Sequence, residues 1–210
     1  MLQSGGYGAL TERQNEAVNA VWTSSEQLRA LIEDVLEFAQ SADGGVVLDL
    51  QQIDLHALLS SVIDKARPWA QRIGLRLVLD CAEDTGSFIS DPQRLKEALL
   101  KLVNNAHKFT QPGGTVTVGG AIKGDNVSLY VSDNGPGIAP EDMHNAFESF
   151  AAKGRAVSRG GAGLGLAIVN RFVELHHGWV ELESDLGKGT RVTCHLPRNP
   201  RARREESREA

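Results

Sequence analysis

Apolar residues recur along this chain in more than one rhythm, and each rhythm predicts a different kind of element. Val18, Val21, Ser25, Leu28, Ile32, Val35 and Ala39 are spaced alternately three and four apart, a heptad seam over about three repeats. Thr11-Glu12-Arg13-Gln14 stands ahead of it as a capping box, in which the hydroxyl accepts from the Gln14 amide and the glutamine reaches back. A helix is predicted over 11–41, ending before Gly44-Gly45, with Arg29, Glu33 and Glu37 on its outer faces. A seam this regular, set apart from the pattern that follows, predicts a helix that pairs in an intermolecular bundle rather than one lying on its own domain.

After Gly45 short strands alternate with helices. Residues 46–53 read as a strand, Asp54 caps a helix to about residue 72 with Pro68 as a kink, and 75–80 alternates as a strand. Ser90-Asp91-Pro92 is a cap followed by a first-turn proline, leading into a helix over 93–109 with Leu95, Leu99, Leu102 and Val103 on one face. Strands at 115–118 and 127–131 flank a Gly124-Asp125 turn, a helix follows over 164–176, and strands at 179–184 and 191–196 flank Gly187-Lys188-Gly189. Because hairpins dominate the second half, the expectation is an α+β, two-layer α/β sandwich with a mixed sheet and helices on one face. Three parts are expected: a helical stem over 1–43, a compact domain over 44–198 and a charged tail over 199–210.

Composition narrows the function classes. Hydrophobic residues are 41% and charged residues 23% of 210, which excludes disorder for most of the chain. Cys81 and Cys194 stand far apart with no His or Cys at ligand spacing, so neither a zinc site nor a disulfide framework is expected, and a reducing cytoplasm fits. With 22 basic against 27 acidic residues the net charge is −5, and no nucleic-acid partner is expected. No run approaches the roughly 18 apolar residues of a membrane span, and MLQSGGYGALTER lacks the order of a signal peptide. No direct membrane contact is expected, although a longer parent protein can be anchored. Trp22, Trp69 and Trp179 fall on separate elements and are expected to pack rather than to form a base-stacking platform.

Two segments carry candidate chemistry. Asp133-Asn134-Gly135-Pro136-Gly137-Ile138 follows a strand, where a carboxylate can accept a hydrogen bond and glycines let backbone approach a flat ligand. Gly161-Ala162-Gly163-Leu164-Gly165-Leu166 opens a helix whose first amides suit phosphate oxygens. No Gly-Lys-Ser/Thr follows and no strand directly precedes it, so it is neither a Walker loop nor a dinucleotide fingerprint.

The order of motifs is more specific than either segment. Asn104-Asn105-Ala106-His107-Lys108-Phe109-Thr110, then Asp133 to Ile138, then Phe147-Glu148-Ser149-Phe150, then Gly161 to Leu166, resembles the N, G1, F and G2 boxes of bacterial sensor histidine kinases. Gly187-Lys188-Gly189-Thr190 is similar to their last glycine box, and the likeness covers residues 46–197. It implies the Bergerat-type ATP-binding fold shared with gyrase, Hsp90-type chaperones and MutL, with ATP and Mg²⁺ as cofactors. On this resemblance Asp133 accepts from the adenine amino group, Gly135 and Gly137 line the base, and Asn105 holds Mg²⁺. Gly161, Gly163 and Gly165 bring amides to the phosphates, and Ile138, Leu164, Leu166 and Thr190 complete the nucleotide positions. Residues 139–160 are then a lid, with Phe147 and Phe150 as anchors and Lys153, Arg155 or Arg159 toward the γ-phosphate. Lys108 is a further phosphate candidate, one turn beyond Asn105.

The stem fits the same family. Residues 11–41 resemble the second of two dimerisation helices and 2–10 the connecting hairpin, implying a homodimer and a response-regulator receiver domain as partner. Gly5-Gly6-Tyr7-Gly8 is similar to that hairpin in atypical alphaproteobacterial cell-cycle kinases. None of His56, His107, His144, His176, His177 or His195 lies in a His-Glu-x-x-x-x-Pro-type box, so the phosphoacceptor is expected outside these residues. His176 and His177, at a helix end, are expected to cap or pack. One departure matters: Lys101 stands where the family usually has Asn and its hydrolysing relatives have Glu. A lysine is neither a neutral oxygen ligand nor, at its usual pKa, a base. The expected function is transfer of the ATP γ-phosphate to an upstream acceptor, with Asn105, Lys101 and Lys108 at the reaction. A degenerate, non-catalytic scaffold that docks partners is the alternative, and an anti-sigma-factor-like serine kinase is a third reading.

Overall fold

The computed structural model describes residues 11–42, 47–143, 146–147 and 164–200. The first helix, α1 (Glu12–Ala42), starts at the expected box: Gln14 Oε1 accepts the Thr11 N–H at 2.9 Å and Thr11 Oγ1 the Gln14 N–H at 3.4 Å. Its seam residues Val21, Leu28 and Ile32, with Trp22 and Leu36 beside them, are exposed in the single chain.

Each domain helix is set by a local cap and an apolar stripe. Asp54 accepts from the Ala57 N–H at 2.8 Å to start α2 (Leu55–Ile73), which runs through Pro68 and stops at the left-handed Gly74. Asp91 accepts from the Gln93 and Arg94 amides to start α3 (Pro92–Phe109). Leu55, Leu59, Val62 and Ala66 of α2, and Leu95, Leu99, Leu102 and Ala106 of α3, recur three or four apart on the buried faces. A short α4 (Pro140–Met143) and the mainly apolar α5 (Gly165–Leu175) complete the described helices.

The strands are β1 (Gln51–Asp54), β2 (Arg76–Asp80), β3 (Ser87–Ser90), β4 (Thr115–Lys123), β5 (Asn126–Asp133), β6 (Trp179–Asp185) and β7 (Gly189–Pro197). Five of them form one mixed sheet in the order β2-β4-β5-β7-β6, with β2 parallel to β4 and the other pairs antiparallel. Val116, Val118, Val127, Leu129, Val131, Val192, Cys194 and Leu196 alternate along the central strands and join the stripes of α2, α3 and α5 in one core. On the other face Tyr130 donates its hydroxyl to Asp80, and the Arg191 guanidinium lies 3.5 Å from the Tyr130 ring centroid.

Four expectations change. Of the strand expected over 46–53, residues 47–50 are not strand and β1 begins at Gln51, because upstream of it the Asp49 N–H goes to the Asp91 carboxylate at 3.0 Å instead of to a strand. β3, the partner of β1, was not foreseen: four residues with serine at both ends carry no usable period. β4 continues through Gly119-Gly120, where a strand was not expected, because the Tyr130 ring lies where a side chain on Gly119 would go. Trp22 and Trp179 are 52% and 51% exposed, so of the three tryptophans only Trp69 packs against the core, with its ring against His107.

Candidate functional site

The loop after β5 and the turn between β6 and β7 are built as one unit. Asp133, paired with Thr190 of β7, turns its Oδ1 back to accept the Gly135 N–H at 2.8 Å. Asn134 Oδ1 accepts the Thr115 N–H at 2.8 Å, which ties the loop to β4. On the other side the Gly187 N–H donates to the Pro136 carbonyl at 2.8 Å. Ser184 Oγ accepts the Ile138 N–H at 2.8 Å, donates to the Gly189 carbonyl at 2.9 Å, and lies 2.9 Å from the Thr190 hydroxyl. With its one proton on Gly189, Ser184 receives the Thr190 proton and its hydrogen-bonding capacity is filled.

Two glycines make this contact possible. Gly189 has φ 109°, and a Cβ there would sit 1.9 Å from the Asp133 carbonyl oxygen. Gly137 has φ 71°, and a Cβ there would sit 2.1 Å from the Asp185 carbonyl. Burial pushes the Asp133 pKa above the ordinary carboxylate value, and the Gly135 and Thr190 backbone amides hold it down in part. An open cavity of about 390 Å³ beside Asp133 includes Ser184, Asp185, Lys188 and Thr190 in its lining.

The helices supply the second half of the site. Asn105, in the last two turns of α3, meets the first residue of α5: a Cβ on Gly165 would lie 3.2 Å from Asn105 Nδ2 and 3.4 Å from Oδ1. Leu164 precedes that helix fully buried, and its apolar side chain offers no cap to the first amides of α5, which have no intrahelical acceptor. Leu166 is partly buried against the core. Lys101 and Lys108 lie one turn to either side of Asn105 and are partly exposed. Ile138 and Phe147 are half-buried. The expected contacts at Phe150, Lys153, Arg155, Arg159, Gly161 and Gly163, and the hairpin at 2–10, lie outside the described residues.

Among the described residues no group of three His, Cys, Asp or Glu side chains could hold a metal ion. Asn105 offers one amide oxygen between two lysines. That suits Mg²⁺ only where phosphate oxygens and waters supply the remaining ligands, which is the way this ion ordinarily binds with nucleotides. No described helix is long and apolar enough to cross a membrane.

Residues 90–200, from the approach to α3 to the residues just beyond β7, match the family model described as histidine kinase-, DNA gyrase B-, and HSP90-like ATPase. The chain belongs to this family. The sensor protein DivL of Caulobacter vibrioides is 40% identical over 90% of the chain and 24% of its own length. Full-length ShkA, solved in complex with AMPPNP, superposes with a TM-score of 0.74 at 32% identity over 92% of this chain and 40% of its own. Histidine kinase ThkA, solved in complex with the response regulator protein TrrA, has a TM-score of 0.73 at 20% identity over 95% of this chain and 56% of its own, which speaks for the fold alone. The chain spans about a quarter of the curated relatives it matches.

Within this histidine kinase-type ATPase domain, two site residues escaped sequence reasoning. Ser184 lies near the end of an edge strand and carries no motif, and Asn134 belongs to the Asp133 to Ile138 box without a role for its side chain. Their signal is a polar side chain at a strand end facing a glycine-rich loop, and its meaning depends on which loop arrives there.

Proposed function

We propose that this chain is the ATP-binding part of a two-component sensor kinase that binds Mg-ATP and donates the γ-phosphate to an acceptor residue outside these 210 residues, for relay to a response-regulator receiver domain. The observation that carries the reading is the meeting of Asn105 with the start of α5 at Gly165, sixty positions away in sequence. An amide oxygen beside the first amides of a helix suits the charge of a metal-bound triphosphate. Asp133 accepts the adenine amino group, Gly135, Gly137 and Ile138 flank the base, and Thr190 supports the carboxylate from β7. Lys108, with Lys153, Arg155 and Arg159, neutralises charge on the transferring phosphoryl group, so the chain contributes positioning and electrostatics rather than a covalent intermediate. The exposed seam of α1 packs against a second copy and presents the acceptor.

Lys101 motivates a second reading, in which the domain docks partners without transferring phosphate. Both are tested by calorimetry of Mg-ATP binding to the wild type, Lys101→Asn and Asp133→Ala. Micromolar binding lost only in Asp133→Ala supports the kinase. No wild-type binding, recovered in Lys101→Asn, would sink it in favour of the scaffold. Self-phosphorylation on one of the six histidines would contradict an acceptor outside the chain.

A further inference from the structure

At the opposite end of the helix pair from Asn105 and Gly165 lies a polar contact that the nucleotide site does not use. His176, directly after α5, is 1% exposed. Its Nδ1 is 2.7 Å from the Phe172 carbonyl and its Nε2 accepts the Asp91 N–H at 3.3 Å. A carbonyl can only accept and a backbone N–H can only donate, so both bonds are satisfied by one form of the ring, neutral with its proton on Nδ1. Asp91 is itself a junction: its carboxylate caps α3 through Gln93 and Arg94 and accepts the Asp49 N–H from the segment leading in from the stem.

We propose that His176 is a positioning residue that latches the end of α5 to the cap of α3 and thereby sets the axial register that places Gly165 against Asn105. The attraction between the apolar residues of these helices, Leu95, Leu99, Ile168 and Phe172 among them, is non-directional and tolerates small axial shifts. A directional bond in a dry site does not. The eleven residues of α5 carry a shift at His176 as a rigid rod to Gly165, about 16 Å away. Burial lowers the His176 pKa; the Phe172 carbonyl and the Asp91 carboxylate oppose this and His177 adds to it. Arg94 lies over the Phe172 ring, and Glu174, 3.5 Å from the Arg171 guanidinium, is the charged group of the last turn. Protonation would set an N–H against the Asp91 N–H and release the latch.

The inference rests on the nucleotide reading of Asn105 and Gly165, and the test separates the two. His176→Gln can put an acceptor near the Nε2 position, whereas His176→Asn reaches only the Nδ1 position and keeps the local bond to Phe172. The 210-residue chain and both variants are compared by ¹⁵N NMR of the imidazole, amide exchange at Asp91 and calorimetry with Mg-AMPPNP. Expected are the Nδ1-protonated tautomer in the wild type, affinity within about threefold in His176→Gln, and affinity about tenfold weaker with faster Asp91 exchange in His176→Asn. An Nε2-protonated ring, or unchanged binding and exchange in His176→Asn, or equal damage in both variants, overturns the latch. Absence of nucleotide binding by the wild type overturns the site, while the tautomer and Asp91 exchange still decide the latch.

Discussion

At its strand end the candidate site is held mainly by backbone: Asp133, Pro136, Ile138 and Gly189 are joined through main-chain groups, the Asp133 carboxylate and one serine hydroxyl. At its helix end it is held by the meeting of two helices, with one side-chain amide at the contact. Backbone contacts leave no room for a side chain, whereas helix contacts can slide and repack. Substitutions that put a side chain into the strand-end contacts, or remove the bridging hydroxyl, should therefore damage the fold, and those at the helix end should change affinity with the fold intact.

Gly189→Ala should show the largest effect, because a Cβ would strike the Asp133 carbonyl at a φ of 109°. A loss of about 3 kcal/mol is expected in urea unfolding, and a loss below about 1 kcal/mol would show that the strand end yields after all.

Asp133→Asn separates stability from binding. Burial raises the folded pKa, so ionisation opposes folding: the cost is absent below the ordinary carboxylate value and complete above the raised one. At pH 7 the variant should be at least as stable as the wild type, while nucleotide affinity falls about thirtyfold with the loss of a charged acceptor. Wild-type affinity should likewise weaken as pH falls through the raised Asp133 value. Calorimetry from pH 7 downward checks this, and a flat profile would remove Asp133 from the base contact.

Ser184→Ala should cost about 1 kcal/mol in thermal or urea unfolding, since the Ile138 N–H loses its partner. The smallest effect should come from the histidines. Burial lowers the folded pKa of both His107 and His176, so the stability they contribute is present above their ordinary value near 6.5 and declines as pH falls through the lowered values. Residue-resolved NMR titration would assign the decline to one ring or the other.

Much of the fold was legible because its signals are local. Thr11, Asp54 and Asp91 each sit within three residues of the amides they cap, and Gly124-Asp125 turns the β4–β5 hairpin as expected. Where the partner was remote, the reading was incomplete. β3 has meaning only beside β1, more than thirty positions earlier, and Gly119 reads as a strand breaker until the Tyr130 ring is seen beside it. Trp179 reads as a core residue by type, yet it stacks on His195 at 4.7 Å on an edge strand and stays half exposed.

By itself the sequence determined where the four longer helices begin, which turns join the hairpins, and which family of boxes the chain carries, because caps, turns and motifs are encoded in neighbouring residues. Only the tertiary structure decided the strand order β2-β4-β5-β7-β6, the joining of the Asp133 loop to the β6–β7 turn through Ser184, and the contacts of α5 with Asn105 at one end and Asp91 at the other. Those contacts depend on sheet register and on the offset between packed helices. Both are set by partners remote in sequence, and no local period along the chain encodes them.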